Sequence, residues 1–225
     1  MSSSEFQSGR SIRCNGDLIS RLRKQAGWTQ SELAFRTGFT ERLIVKAEAS
    51  QNVAAATLQI IAQALNEAGI DVTFHDLSAD PTVLAKAFFR SICQFGHLSS
   101  ELNANLLTDD LIVQFSGDPK VFSFAGKHVG IDAARNAFAK FFEAIQPFDH
   151  RHEIEQVQFL GTRDGNQGDH GVLVWGETLA NIAGAIDSRP LKFAIRMNFK
   201  DARLTAFDYQ FDTLEFAKRL GDLKV

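Results

Sequence analysis

The 225-residue sequence has little cysteine, almost no tyrosine, no long apolar run and no strong charge of either sign. Its two cysteines, Cys14 and Cys93, stand far apart with no metal-binding spacing, so free thiols in a reducing cytoplasm are expected. No stretch reaches the roughly 18 apolar residues of a membrane span. The opening Met1-Ser2-Ser3-Ser4-Glu5 lacks the basic and apolar regions of a signal peptide, so a cytoplasmic protein without membrane partners is expected. No phosphate-cradling glycine motif occurs, and neither a cofactor nor a metal is expected. One tyrosine stands against 20 phenylalanines, most of them after residue 73.

Hydrophobic residues make up 44% of the chain, enough for a proper core. The net charge of −3 looks wrong for a nucleic-acid binder until it is divided. Up to residue 70 there are 8 Lys and Arg against 6 Asp and Glu; beyond it there are 16 against 21. A mildly basic head on an acidic body fits a DNA-reading domain joined to something else.

The head reads as short helices with close punctuation. Asp17 can cap a first helix with Leu18, Leu22 and Ala26 on one face and Arg21, Arg23 and Lys24 facing out, ended by Gly27. Thr29 caps a second, with Glu32 at the capping-box position and Leu33 and Ala34 buried. Gly38 stands where a tight turn needs positive φ. Thr40 caps a third helix running to about Ala49, which buries Leu43 or Ile44 together with Ala47. Thr57 starts a fourth, with Leu58, Ile61, Ala62 and Leu65 at helical spacing. Two helices joined by a glycine turn, the second polar and exposed at its start, make a helix-turn-helix unit.

Leu22-Arg23, Gly27, Thr29-Gln30, Leu33-Ala34, Gly38, Ile44, Glu48, Leu58, Ile61 and Ala62 together resemble the Cro/XRE family of phage-repressor-like DNA-binding domains. The resemblance covers about fifty residues within a domain placed at 14–72. It implies a third helix lying in the major groove of double-stranded DNA, with Thr40, Glu41 and Arg42 against base edges. Arg42 would pair with guanine and Glu41 would accept from cytosine. Gln30 and Lys46 would hold phosphates and so set register. The chain departs from the family after Glu48, where Ala49, Ser50 and Val53 replace the usual basic residue, Gly and Pro. With so few cations one copy would bind weakly, so a homodimer on two half-sites is expected.

Ile70 to Phe74 alternates like a short strand, and residues 73–81 read as a short linker. From 82 to 220 helical segments at Thr82–Phe95 and Ile131–Ile145 are followed by strand-like runs His152–Gly161, Val172–Ile182, Leu191–Lys200 and Leu204–Phe211. Helices followed by an antiparallel meander indicate an α+β fold. The run Phe124-Ala125-Gly126-Lys127-His128-Val129-Gly130 before the Ile131 helix, and the closing Leu204…Asp212-Thr213, resemble the SnoaL-like branch of the nuclear transport factor 2 superfamily. That resemblance implies a cone-shaped domain with a curved antiparallel sheet and a pocket. The superfamily holds cyclases and isomerases, but also ligand binders and dimerisation modules.

A two-residue turn at Asp201-Ala202 would set Met197 opposite Ala206 and Ile195 opposite Asp208. Phe193, Met197, Asp208 and Asp212 would then line the interior, where Asp208 should have a raised pKa. Such an acid can serve as a general base, orient a polar ligand group, or lie solvated at the sheet end. Phe207, Tyr209 and Phe211 would form the opposite face and cover it by dimerisation. Trp175 reads as core or pocket wall. His150 and His152 share a face without a third metal ligand. The expectation is a sequence-specific transcriptional regulator whose second domain dimerises and senses a small, largely apolar ligand. The alternative is a cyclase- or isomerase-type enzyme with a DNA-binding head.

Overall fold

A computed structural model of the chain describes residues 11–98, 106–147, 157–163, 170–178, 180–182, 185–186 and 190–222. It divides into two units, 1–84 and 85–225. In the first, strand β1 (Ser11–Arg13) precedes α1 (Gly16–Gln25), α2 (Gln30–Thr37) and α3 (Glu41–Glu48), and β2 (Asn52–Ala54) leads into α4 (Ala55–Glu67). Thr29 and Thr40 cap α2 and α3 as expected, and Thr29 forms the full capping box with Glu32. The cap of α1 is Asn15, not Asp17. Gly38 has φ +70°, the left-handed turn between α2 and α3. Gly16 is required by close approach: a Cβ there would overlap the carbonyl oxygen of Glu48.

The core of this unit joins Leu18, Ile19, Leu22, Leu33, Ile44, Ala47, Leu58, Ile61 and Leu65. Two departures from the sequence reading concern its edges. Where the family has glycine, Ser50 takes φ +54°, and its Oγ accepts from Gly16 N at 3.2 Å. The chain then forms β2, which pairs antiparallel with β1. Residues 70–79 form neither a strand nor an open linker. Val72 is clamped by Asn66, and Leu77 O accepts from Asn15 N at 2.8 Å. Ile70, Val72 and Leu77 are buried in the same core, because apolar residues beside a small helical core gain more by docking than by bridging.

Helix α5 (Pro81–Phe95) contains the division between the units. The second unit holds β3 (Leu107–Phe115), β4 (Gly126–Val129), α6 (Ile131–Ala144), β5 (Ile145–Pro147), β6 (Gln158–Arg163), β7 (His170–Thr178), β8 (Ala180–Ile182), β9 (Ala185–Ile186), β10 (Leu191–Lys200), β11 (Arg203–Phe211) and α7 (Thr213–Asp222). Its main sheet has the order β4-β3-β11-β10-β7-β6, and β5, β8 and β9 form a second, small sheet. The α+β arrangement is the expected one, with one difference: β3 and β11 run parallel, so the sheet is mixed. One face is packed by phenylalanines from α5 and α6. Phe88 and Phe138 meet Phe207, and Phe115 stacks on Phe141 at 5.0 Å.

The β10–β11 hairpin turns at Asp201 and Ala202, whose φ values of 50° and 60° are the pair a type I′ turn needs. Phe199 pairs with Leu204, but Asn198 pairs with Ala206, leaving Thr205 as an extra residue. This bulge inverts the facing of the rest of β11. Met197 therefore opposes Phe207, and Ile195 opposes Tyr209.

Candidate nucleic-acid interface and aromatic cavity

In the first unit α1 supplies Arg23, the turn into α2 supplies Trp28 and Gln30, and α3 ends in Glu48. Arg23 does not face out; it is 7% exposed. Its Nε and Nη2 donate to the two Glu48 oxygens at 2.6 and 3.1 Å, and Nη1 donates to Trp28 O at 2.6 Å. A buried guanidinium is tolerable only with such complete pairing, and sequence periodicity does not reveal it. Gln30 Nε2 donates to Glu48 Oε2 at 2.8 Å. Burial alone would raise the Glu48 pKa, but hydrogen bonds from Arg23 and Gln30 and the Arg23 charge outweigh it and hold the carboxyl below its ordinary value. The Glu48 hydrogen bond likewise raises Arg23. This network ties the start of α2 to the end of α3, so the two helices present one surface.

On that surface Thr40, Glu41, Arg42, Val45 and Lys46 are exposed, while Ile44 and Ala47 face the core. The Thr40 hydroxyl accepts from Leu43 N at 3.4 Å as the cap. Glu41 accepts a hydrogen bond from Ser31 Oγ of α2 at 2.5 Å. The Arg36 guanidinium, from the last turn of α2, lies 4.4 Å above the Trp28 ring. All five residues singled out from the sequence thus lie on α3, its cap or the first turn of α2. Arg23 and Glu48 are what that reading left out as the frame behind them.

In the second unit the four proposed pocket residues are not brought together. Phe193 lines a cavity of about 40 Å³ with Phe89, Ile92, Cys93, Phe138, Phe141, Phe142, Ile145, Phe207 and Tyr209. Met197 is buried but is not in that lining. Asp212 is exposed and accepts from Glu215 N at 2.9 Å, starting α7. Asp208 lies on the opposite face of the sheet, beside Arg196, Asn198, Gln114 and Lys127, and accepts from Gln210 Nε2 at 2.6 Å. The cause is the Thr205 bulge. It also moves Phe207, Tyr209 and Phe211 inside, so they cannot form the expected dimer face. Asp208, the acid of the cyclase or isomerase alternative, therefore does not line the cavity, and no carboxylate is among the described residues that do.

The face opposite the phenylalanines carries the row Leu160, Leu173, Arg196, Asp208, Gln114 and Lys127 across all six strands. Trp175, expected as core or pocket wall, stands on this face 40% exposed, with Leu160 at 52% and Leu173 at 38%. His150 and His152 lie outside the described residues. Among the described residues no group of three His, Cys, Asp or Glu side chains could hold a metal, and no helix is long and apolar enough to cross a membrane. Both cysteines are buried thiols outside any disulfide, and burial pushes the Cys14 thiol up to about 11.

The helix-turn-helix family model matches residues 19–70, and the first unit is a helix-turn-helix DNA-binding domain of Cro/XRE type. No curated protein matches the chain. Among solved structures, an NTF2-like protein of Burkholderia xenovorans LB400 is 17% identical, with 61% of this chain and 93% of that one covered and a TM-score of 0.47. An NTF2-like protein of unknown function from Burkholderia pseudomallei K96243 is 18% identical, covers 62% and 95%, and has a TM-score of 0.42. A protein assigned as a SnoaL-like polyketide cyclase from Jannaschia sp. CCS1 is 16% identical, covers 61% and 87%, and scores 0.37. The α+β fold of the second unit is given by its own strand order and not by these likenesses.

Proposed function

We propose that the chain is a cytoplasmic, sequence-specific transcriptional regulator that binds double-stranded DNA as a homodimer. The observation that carries this reading is the exposed start of α3, with Arg42 and Lys46 outward, braced from behind by Arg23, Glu48 and Gln30. Gln30 spends one amide hydrogen on Glu48 and keeps the other for a phosphate. A frame that costs no reordering on binding lets the few cations of this domain act together.

Dimerisation is assigned to the exposed sheet face. Its apolar end, Leu160, Leu173 and Trp175, is unfavourable in water. Its centre is self-complementary: about a two-fold axis between Arg196 and Asp208, each Arg196 meets the partner subunit's Asp208. Two heads so joined would read half-sites about one helical turn apart.

The aromatic cavity supports a sensing role for a small, largely apolar ligand. Ordinary ligand pockets run to about 300–1,000 Å³, so 40 Å³ admits a molecule of only a few heavy atoms. Tyr209 and Cys93 supply its polar lining. A ligand that changes DNA affinity must itself bind more tightly or weakly by the same factor when DNA is present.

Selection of bound duplexes from a random pool, run at several salt concentrations, tests the reading. A two-fold symmetric motif that binds less tightly as salt rises is expected. Recovery of no preferred sequence at any salt concentration sinks it.

A further inference from the structure

We propose that Val45 is a specificity-determining residue, its methyl groups packing on the 5-methyl of a thymine beside the guanine taken by Arg42. This inference rests on the DNA-binding reading and deepens it.

Val45 has no role in the core. It is 44% exposed, on the side of α3 opposite Ile44 and Ala47 and one turn beyond Glu41 and Arg42. A β-branched residue is also a poorer helix former than the Ala, Lys or Glu that flank it, so helix stability does not account for it. Its neighbours on the exposed side, Arg42 and Lys46, are the cations that hold the helix on DNA. Any duplex they engage brings Val45 to the base edges as well.

The major groove offers one apolar feature to such a side chain, the thymine methyl. Residues at i and i+3 have Cβ atoms roughly 5–6 Å apart, against a rise of about 3.4 Å per base pair. The thymine is therefore placed one or two base pairs from the guanine. Of the other two residues expected to read bases, Thr40 caps the helix with its hydroxyl on Leu43 N, and Glu41 has its carboxylate engaged by Ser31 of α2. It serves there as a brace between the two helices, which leaves Arg42 and Val45 as the central reading pair.

The experiment uses the full chain and the duplex enriched from the random pool. Each thymidine of a half-site is replaced in turn by deoxyuridine, which removes only the 5-methyl. Wild type is expected to bind about four-fold more weakly at one thymine position, the equivalent of one buried methyl contact. The Val45→Ala chain should fold normally and bind the thymine and uracil duplexes alike. Arg42→Ala should lose the guanine preference one or two base pairs away yet keep the thymine-over-uracil step. Equal binding of every uracil duplex by wild type overturns the proposal, and so does an undiminished step in Val45→Ala. If the pool yields no enriched duplex, the DNA-binding reading itself fails, and this proposal with it.

Discussion

Arg196 faces Asp208 across the β10–β11 pair, in the middle of a row that crosses all six strands of the main sheet. Thr205 is the residue inserted on β11 between the partners of Phe199 and Asn198. Deleting Thr205 would remove the bulge and leave Asn198 opposite Ala206 and Met197 opposite Phe207 in a regular ladder, so Asp208 stays outside and Phe207, Tyr209 and Phe211 stay inside. That chain is expected to fold, by circular dichroism and thermal unfolding, and an unfolded chain would show that the bulge itself is needed. Asp208→Ala should change the stability of the single chain by no more than about 0.5 kcal/mol, as a surface substitution does, and should weaken the dimer that Arg196 and Asp208 centre. A severe loss from Asp208→Ala would show that its carboxylate is needed in the core.

The same face is the proposed dimer interface. Trp175→Glu places a charge among exposed apolar groups and should leave the fold intact. Sedimentation is expected to show wild type as two chains and the variant as one, 24.9 kDa each. A variant that stays dimeric would place the interface elsewhere.

Glu48 gives the first unit an acid-sensitive joint. Its folded pKa is lowered, so its contribution is fully present above its unfolded value of about 4.3 and fades as pH falls through the folded value. Glu48→Gln removes the charge and leaves Arg23 buried without a counter-charge, at a cost of about 3 kcal/mol at pH 7. The gap between wild type and variant should close as the solution is acidified below about pH 4. Unfolding midpoints from pH 3 to 7 measure it, and a gap constant over that range would remove Glu48 as the titrating group.

Ala202 holds φ +60° in the hairpin turn, a conformation that costs an alanine more than a glycine. Ala202→Gly is expected to stabilise the chain by about 1 kcal/mol, read from the midpoint of urea unfolding at unchanged slope. No gain would mean that the turn is not left-handed at this position.

The sequence by itself determined the features that local chemistry controls. Thr29 and Thr40 mark helix starts because a hydroxyl must satisfy open backbone N–H groups. Gly38 marks the turn because other residues resist its φ, and Asp201-Ala202 were legible as a two-residue turn between alternating runs. The exposed residues of α3 followed from period and cap together, which is why Thr40, Glu41, Arg42 and Lys46 all lie on its cap or its outward side.

Tertiary structure alone decided what depends on long-range pairing. Arg23 shares the outward-looking pattern of Arg21 and Lys24, and only Glu48, twenty-five residues on, shows that it is buried. One inserted residue, Thr205, exchanged Asp208 for Tyr209 at the interior. No period-two reading could detect that, since a bulge leaves the alternation on each side intact and merely inverts its phase. The parallel pairing of β3 with β11, strands far apart in the chain, is invisible locally for the same reason. Short-range terms shape each element, and the register between distant elements is set by which pairing buries the phenylalanines.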